Sequence, residues 1–327
     1  ISLKSDSLKD TIPEAVADKI KNMPETENVY ATKYTMGELQ ISKNEFLSEE
    51  EWSDYFKYQN QEPYYIQRYD GICKQQEDGN YRIKYNVYGY DEAMIEQLRD
   101  FILEGEIQPE TIKNNNQVIV TANMDGQGNY FFYGKKPGDT ITLRVPKTEN
   151  YTDELLKFQS GEENYIEKEF EIAAIVNRPL AQEKDFLNTE VWKNAQSVIM
   201  TGEQMEENFG ITDYSFINAS PADSADAKIV SNQLLQVIRD VPKAVLQDYT
   251  TAIATQKGYL GQQQIFFSSI AVILLIISLF HIVNSMSHTI LTRRREYGII
   301  RAIGITDGGF YLSLIHISEP TRPLYIS

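Results

Sequence analysis

"IFFSSIAVILLIISLFHIV", residues Ile265 to Val283, is the longest apolar run in the chain. No charged residue occurs between Gln262 and Thr292. A helix over the nineteen positions of that run would be about 28 Å long at about 1.5 Å per residue, close to the thickness of a bilayer's hydrocarbon core. Fourteen of the nineteen are Ile, Leu, Val or Phe. At about −0.3 to −0.6 kcal/mol each they sum to about −4 to −8 kcal/mol of insertion free energy, before the serines and the histidine subtract from it. The run has no polar face, which argues against a helix in a soluble core. A transmembrane helix is therefore expected over residues 265–288.

"TRRREYGIIRAIGIT" (Thr292–Thr306) comes directly after it. Arg293, Arg294 and Arg295 abut the far end of the span, whereas Gly258, Gly261 and Gln262–Gln264 lead into it with only Lys257 nearby. Lys and Arg collect on the cytoplasmic side, so residues 293–311 are expected in the cytoplasm and residues 1–255 outside it, in a cell membrane. Each arginine beside the anionic inner leaflet contributes about 1 kcal/mol of anchoring. Ser278, His281, Asn284, Ser285 and His288 lie in the cytoplasmic half of the span. Asn284 and His288 are four apart and share a helical face, which suits hydrogen bonding to other membrane helices.

The charge is divided between these regions. The 327 residues carry 31 Lys and Arg against 47 Asp and Glu, a formal net charge of −16. From Gly261 onward there are five arginines and three acids, so the first 260 residues alone carry −18. A surface that acidic repels phosphate, which argues against a general nucleic-acid-binding role. The length predicts more than one folded unit. Cys73 is the only cysteine, so no internal disulfide holds the fold, and a lone thiol in or beside a strand is expected. The sequons at Asn150 and Asn218 carry little weight, because chance matches are common. The chain starts on Ile with no signal-like segment, and a preceding membrane helix is expected upstream.

Ahead of the span, helical and extended patterns alternate. "TIPEAVADKIKNMP" places Pro13 early in a helix with Ala15, Val16, Ile20 and Met23 at helical spacing. "ENVYATKYTMGELQIS" is rich in β-branched and aromatic residues and predicts one bent strand or a hairpin, with Gly37 as turn or bulge. Asp78-Gly79 predicts a hairpin turn before "YRIKYNVYGY". "DEAMIEQLRDFILEG" predicts an amphipathic helix with Met94, Leu98, Phe101 and Ile102 on one face and Gly105 past its end. Strands are expected at "NQVIVTAN", "TITLRV", "KEFEIAAIV" and "AQSVIM". Asp223 or Ser224 is a candidate cap for a helix carrying Ile229, Leu234, Leu235 and Ile238. From Lys243 to Gln264 there is no proline, so a helical stalk is expected to enter the membrane and to transmit force as a flexible linker would not.

Catalytic and metal motifs are missing from this inventory. The chain has no Gly-x-Ser-x-Gly elbow, His-Glu-x-x-His, Cys-x-x-Cys or P-loop. Its three histidines, His281, His288 and His316, all come after the extracytoplasmic part, which excludes a histidine-based triad or zinc site there. "LSEEEWSD" (Leu47–Asp54) lacks the alternating oxygen ligands of a calcium loop and reads as a solvated helix face. The 21 tyrosines cluster in strand-like segments, where half-buried sheet positions account for most of them. No cofactor and no catalytic residue is expected.

The whole pattern resembles the MacB/FtsX-like permease family of ABC transporters. In that family the second membrane helix ends in a basic segment followed by Glu, an apolar residue, Gly, two apolar residues, Arg, Ala, an apolar residue and Gly. Those positions here are Arg293, Arg294, Arg295, Glu296, Tyr297, Gly298, Ile299, Ile300, Arg301, Ala302, Ile303 and Gly304. "VYGYDEAMIEQ", "LEGE", "KKPGDTITL" and "KEFEIAAIV" match the family's looser pattern in the preceding domain. The resemblance implies an α+β extracytoplasmic domain of the MacB periplasmic-core type, with a mixed sheet and helices, over 1–242. A helical stalk would cover 243–264, the transmembrane helix 265–288 and a cytoplasmic coupling segment 289–311. It also implies a permease subunit without its own chemistry, partnered by a separate cytoplasmic ATPase, membrane lipids and a second permease half or homodimer partner. The function implied is export or signalling across the membrane. "LSLIHISEPTR" (Leu312–Arg322) resembles the translation of a transposon-end sequencing adapter, so 312–327 is set aside as an artefact and further membrane helices are expected in its place. The alternative is a membrane-spanning receptor with an extracytoplasmic sensing domain; a membrane-anchored enzyme is third, for want of any nucleophile and base.

Overall fold

The structure, a computed structural model, describes residues 1–5, 10–43, 45, 63, 70–124, 128–147, 157–158, 163–180, 196–304, 306 and 308–309. The acidic run Leu47–Asp54, the sequon at Asn150 and the segment Leu312–Ser327 lie outside the described residues. The chain divides into two compact units, Ile1–Thr250 and Thr251–Ser327.

The first unit is α+β. Its strands are β1 (Ser2–Ser5), β2 (Thr26–Ile41), β3 (Cys73–Gln75), β4 (Tyr81–Tyr90), β5 (Ile102–Gly105), β6 (Gln117–Thr121), β7 (Asn123–Met124), β8 (Tyr130–Phe131), β9 (Thr140–Pro146), β10 (Tyr165–Val176), β11 (Ser197–Thr201), β12 (Phe216–Pro221) and β13 (Ala244–Gln247). Its helices are α1 (Glu14–Lys21), α2 (Glu92–Gln97), α3 (Pro109–Asn114), α4 (Gly202–Phe209) and α5 (Ala227–Ile238).

β2 belongs to two sheets. Its first half pairs antiparallel with β12, which pairs with β1, which pairs with β13. α1 and α5 pack on this small sheet, burying Leu3, Val16, Ile20, Ile217, Val230 and Leu234 in one cluster. The second half of β2 pairs with β4 from Lys33 to Ile41 and with β9 at Glu38–Gln40. β9 pairs with β10, β10 runs parallel to β6, β6 pairs with β11, and β11 runs parallel to β4. These six strands therefore close into a ring. Leu39, Ile83, Tyr85, Val87, Val120, Leu143, Ile172 and Val198 alternate with outward residues and form its core. Tyr34, Tyr88, Tyr90, Met94, Ile112, Ile119 and Ile199 form a further cluster with α2 and α3.

The expected strands are all present, and the Asp78-Gly79 turn joins β3 to β4 with Gly79 at φ 87°. Cys73 is buried in β3. Tyr85, Tyr88 and Tyr90 are fully buried in β4, in line with sheet positions for the tyrosines. Several local expectations are corrected. The single strand expected as one alternative over residues 26–41 is present, but Gly37 is neither turn nor bulge in it. A Cβ there would lie 3.0 Å from the Arg144 carbonyl and 3.1 Å from Leu143 and Val87, so Gly37 lets β9 approach β2 where the ring closes. The helix from Glu92 ends at Gln97, passes through a 3-10 turn at Leu98–Phe101, and yields to β5, because Ile102, Glu104 and Gly105 pair with β10. Ladder bonds to a neighbouring strand outweigh local helix propensity there. Asp226, not Asp223 or Ser224, caps α5, accepting from Lys228 N at 2.8 Å. Ile229 and Leu235 are exposed on α5, and Ala17 rather than Ala15 is buried on α1. The helical stalk expected from Lys243 begins later. Lys243 adopts φ 53°, and the chain then forms β13, whose Ala244 and Leu246 pack on the core of the small sheet.

A buried charge cluster lies where β2, β4 and β9 meet. Glu38 Oε1 accepts from Lys84 Nζ at 2.5 Å and Oε2 from Arg144 Nη1 at 3.2 Å, with Arg82 4.0 Å away. Glu38, Lys84 and Arg144 are each at most 3% exposed. The Arg144 guanidinium stacks 3.8 Å from the Tyr165 ring, and Lys84 Nζ sits 4.2 Å from that of Phe158. Burial holds Lys84 below its ordinary value against the pull of Glu38, while Arg144 and Arg82 push the same way as burial. Glu38→Ala would strand two buried cations and is expected to cost about 3–5 kcal/mol in denaturant melts. The unfolded chain holds the Lys84 proton more tightly than the folded one. From the lowered pKa up to 10.5, the stability of the wild type relative to Lys84→Met should therefore rise with pH. Paired melts of the two proteins across alkaline pH measure this directly.

Candidate functional site

The second unit is built on α6 (Thr250–Thr292), one uninterrupted helix of 43 residues. From Ala252 to Thr292 it is long and apolar enough to cross a membrane, with none of its most apolar window buried by protein. Ile265, Phe266, Phe267 and Phe280 are 62–70% exposed. Apolar surface of that extent on every side suits a lipid environment. The polar residues fit it as well. Ser269, Ser278, Thr289 and Thr292 each donate a hydroxyl to the carbonyl four residues earlier, at 2.7–2.9 Å. A hydroxyl bonded within its own helix needs no other partner in hydrocarbon. The expected span of 265–288 lies inside this helix, which continues one turn further on the arginine side.

Arg293 stands between α6 and α7 (Arg294–Ala302) with φ −100° and ψ 19°. The hydrogen-bond ladder crosses it, since Arg293 N donates to Thr289 O at 3.1 Å and Tyr297 N to Arg293 O at 3.0 Å. α7 ends where Gly304 adopts φ 90° and donates to Arg301 O at 3.2 Å, a left-handed terminus that any side chain would strain. Gly304 is thus a helix stop. Gly298 is mid-helix, and a methyl group added to it would meet nothing within 4 Å, so its face is open.

Most of the site residues expected from the sequence fall on α7. Arg294, Gly298 and Arg301 recur at i, i+4 and i+7 and share one face of it, with Arg295 and Ala302 to its side. Ile299 lies across the helix from Arg301, 63% exposed, and Ile303 stands four residues further on, 76% exposed. Glu296 is on this apolar side and lies 4.0 Å from Arg293, a solvent-exposed pair worth little by itself. Tyr297 is buried. The arrangement is a two-faced helix, cationic on one side and aliphatic on the other.

In the first unit a cavity of about 400 Å³ is lined by residues that include Lys33, Asp91, Thr201, Glu206 and Tyr214. The buried Lys33 ammonium pairs with Glu206 at 3.3 Å and sits 5.5 Å from the Tyr214 ring centre. Burial pushes the Asp91 carboxyl up, against hydrogen bonds from Met94 and Ala31 and the charge of Lys21. Sequence reasoning missed Lys33, because a lysine between Thr32 and Tyr34 in a strand-like run reads as a solvent-facing strand position.

The class these features define is an α+β domain followed in the chain by a helix long and apolar enough to span a bilayer and a short two-faced helix. No protein-family model and no curated protein matches the chain. Among solved structures, it is similar to the periplasmic region of MacB from Actinobacillus actinomycetemcomitans at 9% identity and TM-score 0.42, over 78% of this chain and 91% of that one. It is likewise similar to the extracellular domain of the noncanonic ABC-type transporter YknZ from Gram-positive bacteria, at 9% identity and TM-score 0.40, over 76% of this chain and 99% of that one.

Leu274→Arg combined with Ile277→Arg should raise the insertion free energy by about 6–8 kcal/mol, enough to cancel the favourable sum for the run. Alkaline carbonate extraction should then move the chain from the membrane pellet to the supernatant.

Proposed function

We propose that this chain is part of a permease subunit of an ABC transporter of the MacB/FtsX-like type. In this reading it catalyses nothing itself. A separate cytoplasmic ATPase docks on α7, and the work of ATP hydrolysis passes through α6 to the extracytoplasmic domain, for export or for signalling. The full protein would be multi-pass in the cell membrane and would work beside a second permease half or a second copy.

The observation that carries this reading is α7. A plain stop-transfer cluster needs only Arg293 to Arg295 and imposes no order on the residues after them. Here Glu296 to Gly304 form a defined helix with a glycine stop, a cationic face at Arg294 and Arg301, and exposed Ile299 and Ile303. Exposed aliphatic residues rimmed by charge are the composition of a protein-docking patch. Gly298 leaves the cationic face open to a close-fitting partner.

In the complete permease with its ATPase, Arg301→Glu should reverse the charge of that face and Gly298→Trp should block it. Each is expected to lower coupled activity at least about tenfold, the effect of losing about 1.4 kcal/mol of docking. Membrane insertion should be unchanged. Coupled activity at wild-type level in both variants would remove α7 from the ATPase interface.

A further inference from the structure

We infer that the cavity of about 400 Å³ in the first unit is a binding site for a small zwitterion of the amino-acid type. Its carboxylate is held by Lys33, and its ammonium group by Asp91 and Glu206 beside the Tyr214 ring. The site lies wholly within the first unit and goes beyond the permease reading, since nothing in it depends on a membrane or an ATPase.

Lys33 supplies one half of the site. It faces Gly89 in the β2–β4 ladder, and its stem runs past Gly202 at the start of α4. A methyl group built on Gly202 would lie 3.8 Å from Lys33 Cε and from the Tyr90 carbonyl oxygen. The Lys33 side chain is only 4% exposed, and among the described residues its one hydrogen-bond acceptor is Glu206 Oε2, at 3.3 Å. An ammonium group has three N–H donors, and a buried donor left unfilled is costly. Two donors of Lys33 therefore call for an oxygen from whatever occupies the cavity that Lys33 lines.

The acids define the other half. Glu14, Glu92, Glu110 and Glu203 stand in the first turns of α1 to α4, where an acid is favoured with no ligand present. Asp91 caps α2 through the Met94 N–H at 2.9 Å and also accepts from the Ala31 N–H. A carboxylate has about four lone-pair sites, so it retains capacity on the cavity side. Burial first, and then Glu14, Asp18, Asp91 and Glu206, push the Tyr214 hydroxyl above its ordinary value. That end of the cavity therefore stays negative, although the Lys21 and Lys33 ammonium groups sit 5.7 and 5.5 Å from the Tyr214 ring centre.

These two demands select the ligand. A metal ion does not fit, because among the described residues no three His, Cys, Asp or Glu side chains stand together to hold one. A plain anion would be repelled by the acids, and a plain amine would leave Lys33 unfilled. A molecule with both charges answers both ends, and the volume is in the usual range for small ligands, about 300–1,000 Å³. Six acids face two lysines in the lining, so a second ammonium group on the ligand is favoured. L-Lysine is accordingly the probe.

The test is calorimetric titration of the full chain in lipid nanodiscs with L-lysine and with cadaverine, the same diamine without the carboxylate. L-Lysine should bind saturably with a Kd at or below about 1 mM. Cadaverine should bind at least about tenfold more weakly, because it offers Lys33 no oxygen. Lys33→Met should weaken L-lysine by a similar factor and erase the difference between the two ligands. Gly202→Leu removes no polar group, but it places a side chain beside Lys33 and should abolish binding. Thermal melts report folding, and Gly202→Leu decides the matter if Lys33→Met does not fold. No saturable binding of L-lysine up to about 10 mM overturns the site and leaves the permease reading untouched. Equal affinity for cadaverine overturns the zwitterion, and wild-type affinity in Gly202→Leu overturns the cavity as its place.

Discussion

β2 spends its backbone hydrogen bonds on two different sheets, and the architecture of the first unit depends on that division. From Thr26 to Thr32 it completes the small sheet under α1 and α5; from Lys33 to Ile41 it closes the six-stranded ring against β4 and β9. A strand cannot change partners midway unless both neighbours can reach it. Gly37 provides the room, since any side chain there would press on Arg144, Leu143 and Val87. Glu38, the next residue, points to the opposite face and gathers Lys84 and Arg144 from the two closing strands. Close approach on one face and charge pairing on the other therefore act within two consecutive residues. Burying a charge cluster is rarely the most stable choice, but its geometry admits one register, and a one-residue slip of β2 would put Glu38 into the apolar core.

Sequence and structure agree where local patterning carries the information. The strands β4, β6, β9, β10 and β11 announce themselves by alternation and β-branching, the β3–β4 turn by Asp78-Gly79, and the apolar helix by length and composition. The ordered residues after Arg293 are legible in the same way, and they form a helix. Disagreement begins where distant pairing decides. Ile102 to Gly105 carry a helical pattern, yet β10 supplies a ladder that no local window contains. The strand at Ala244–Gln247 is hidden for the same reason, since only β1 makes it one. Charged residues mislead most. Glu38, Lys84 and Lys33 look like the outward half of alternating strands, and their burial depends on what other parts of the chain lay over them.

The second unit obeys different physics. In water, exposed phenylalanine and isoleucine on every side of a helix would drive association; in hydrocarbon the same surface is at rest, and backbone polar groups become the concern. α6 meets that concern internally, with its ladder unbroken and its hydroxyls returned to its own carbonyls. α7 abandons the pattern as soon as the arginines appear. Its two faces suit a boundary where water, lipid headgroups and protein are all within reach.

The ring also constrains how this domain can be made. β4 must wait for β11, since Asn86 faces Ser197 in their parallel ladder, and β6 needs both β10 and β11 to fill its two edges. No shorter stretch of chain leaves the ring without open strand edges. Contacts so far apart in sequence slow folding and leave sticky edges exposed meanwhile. The whole segment from β2 to β11 has to be present before the core can dry. That is a demand on the folding pathway more than on the finished protein.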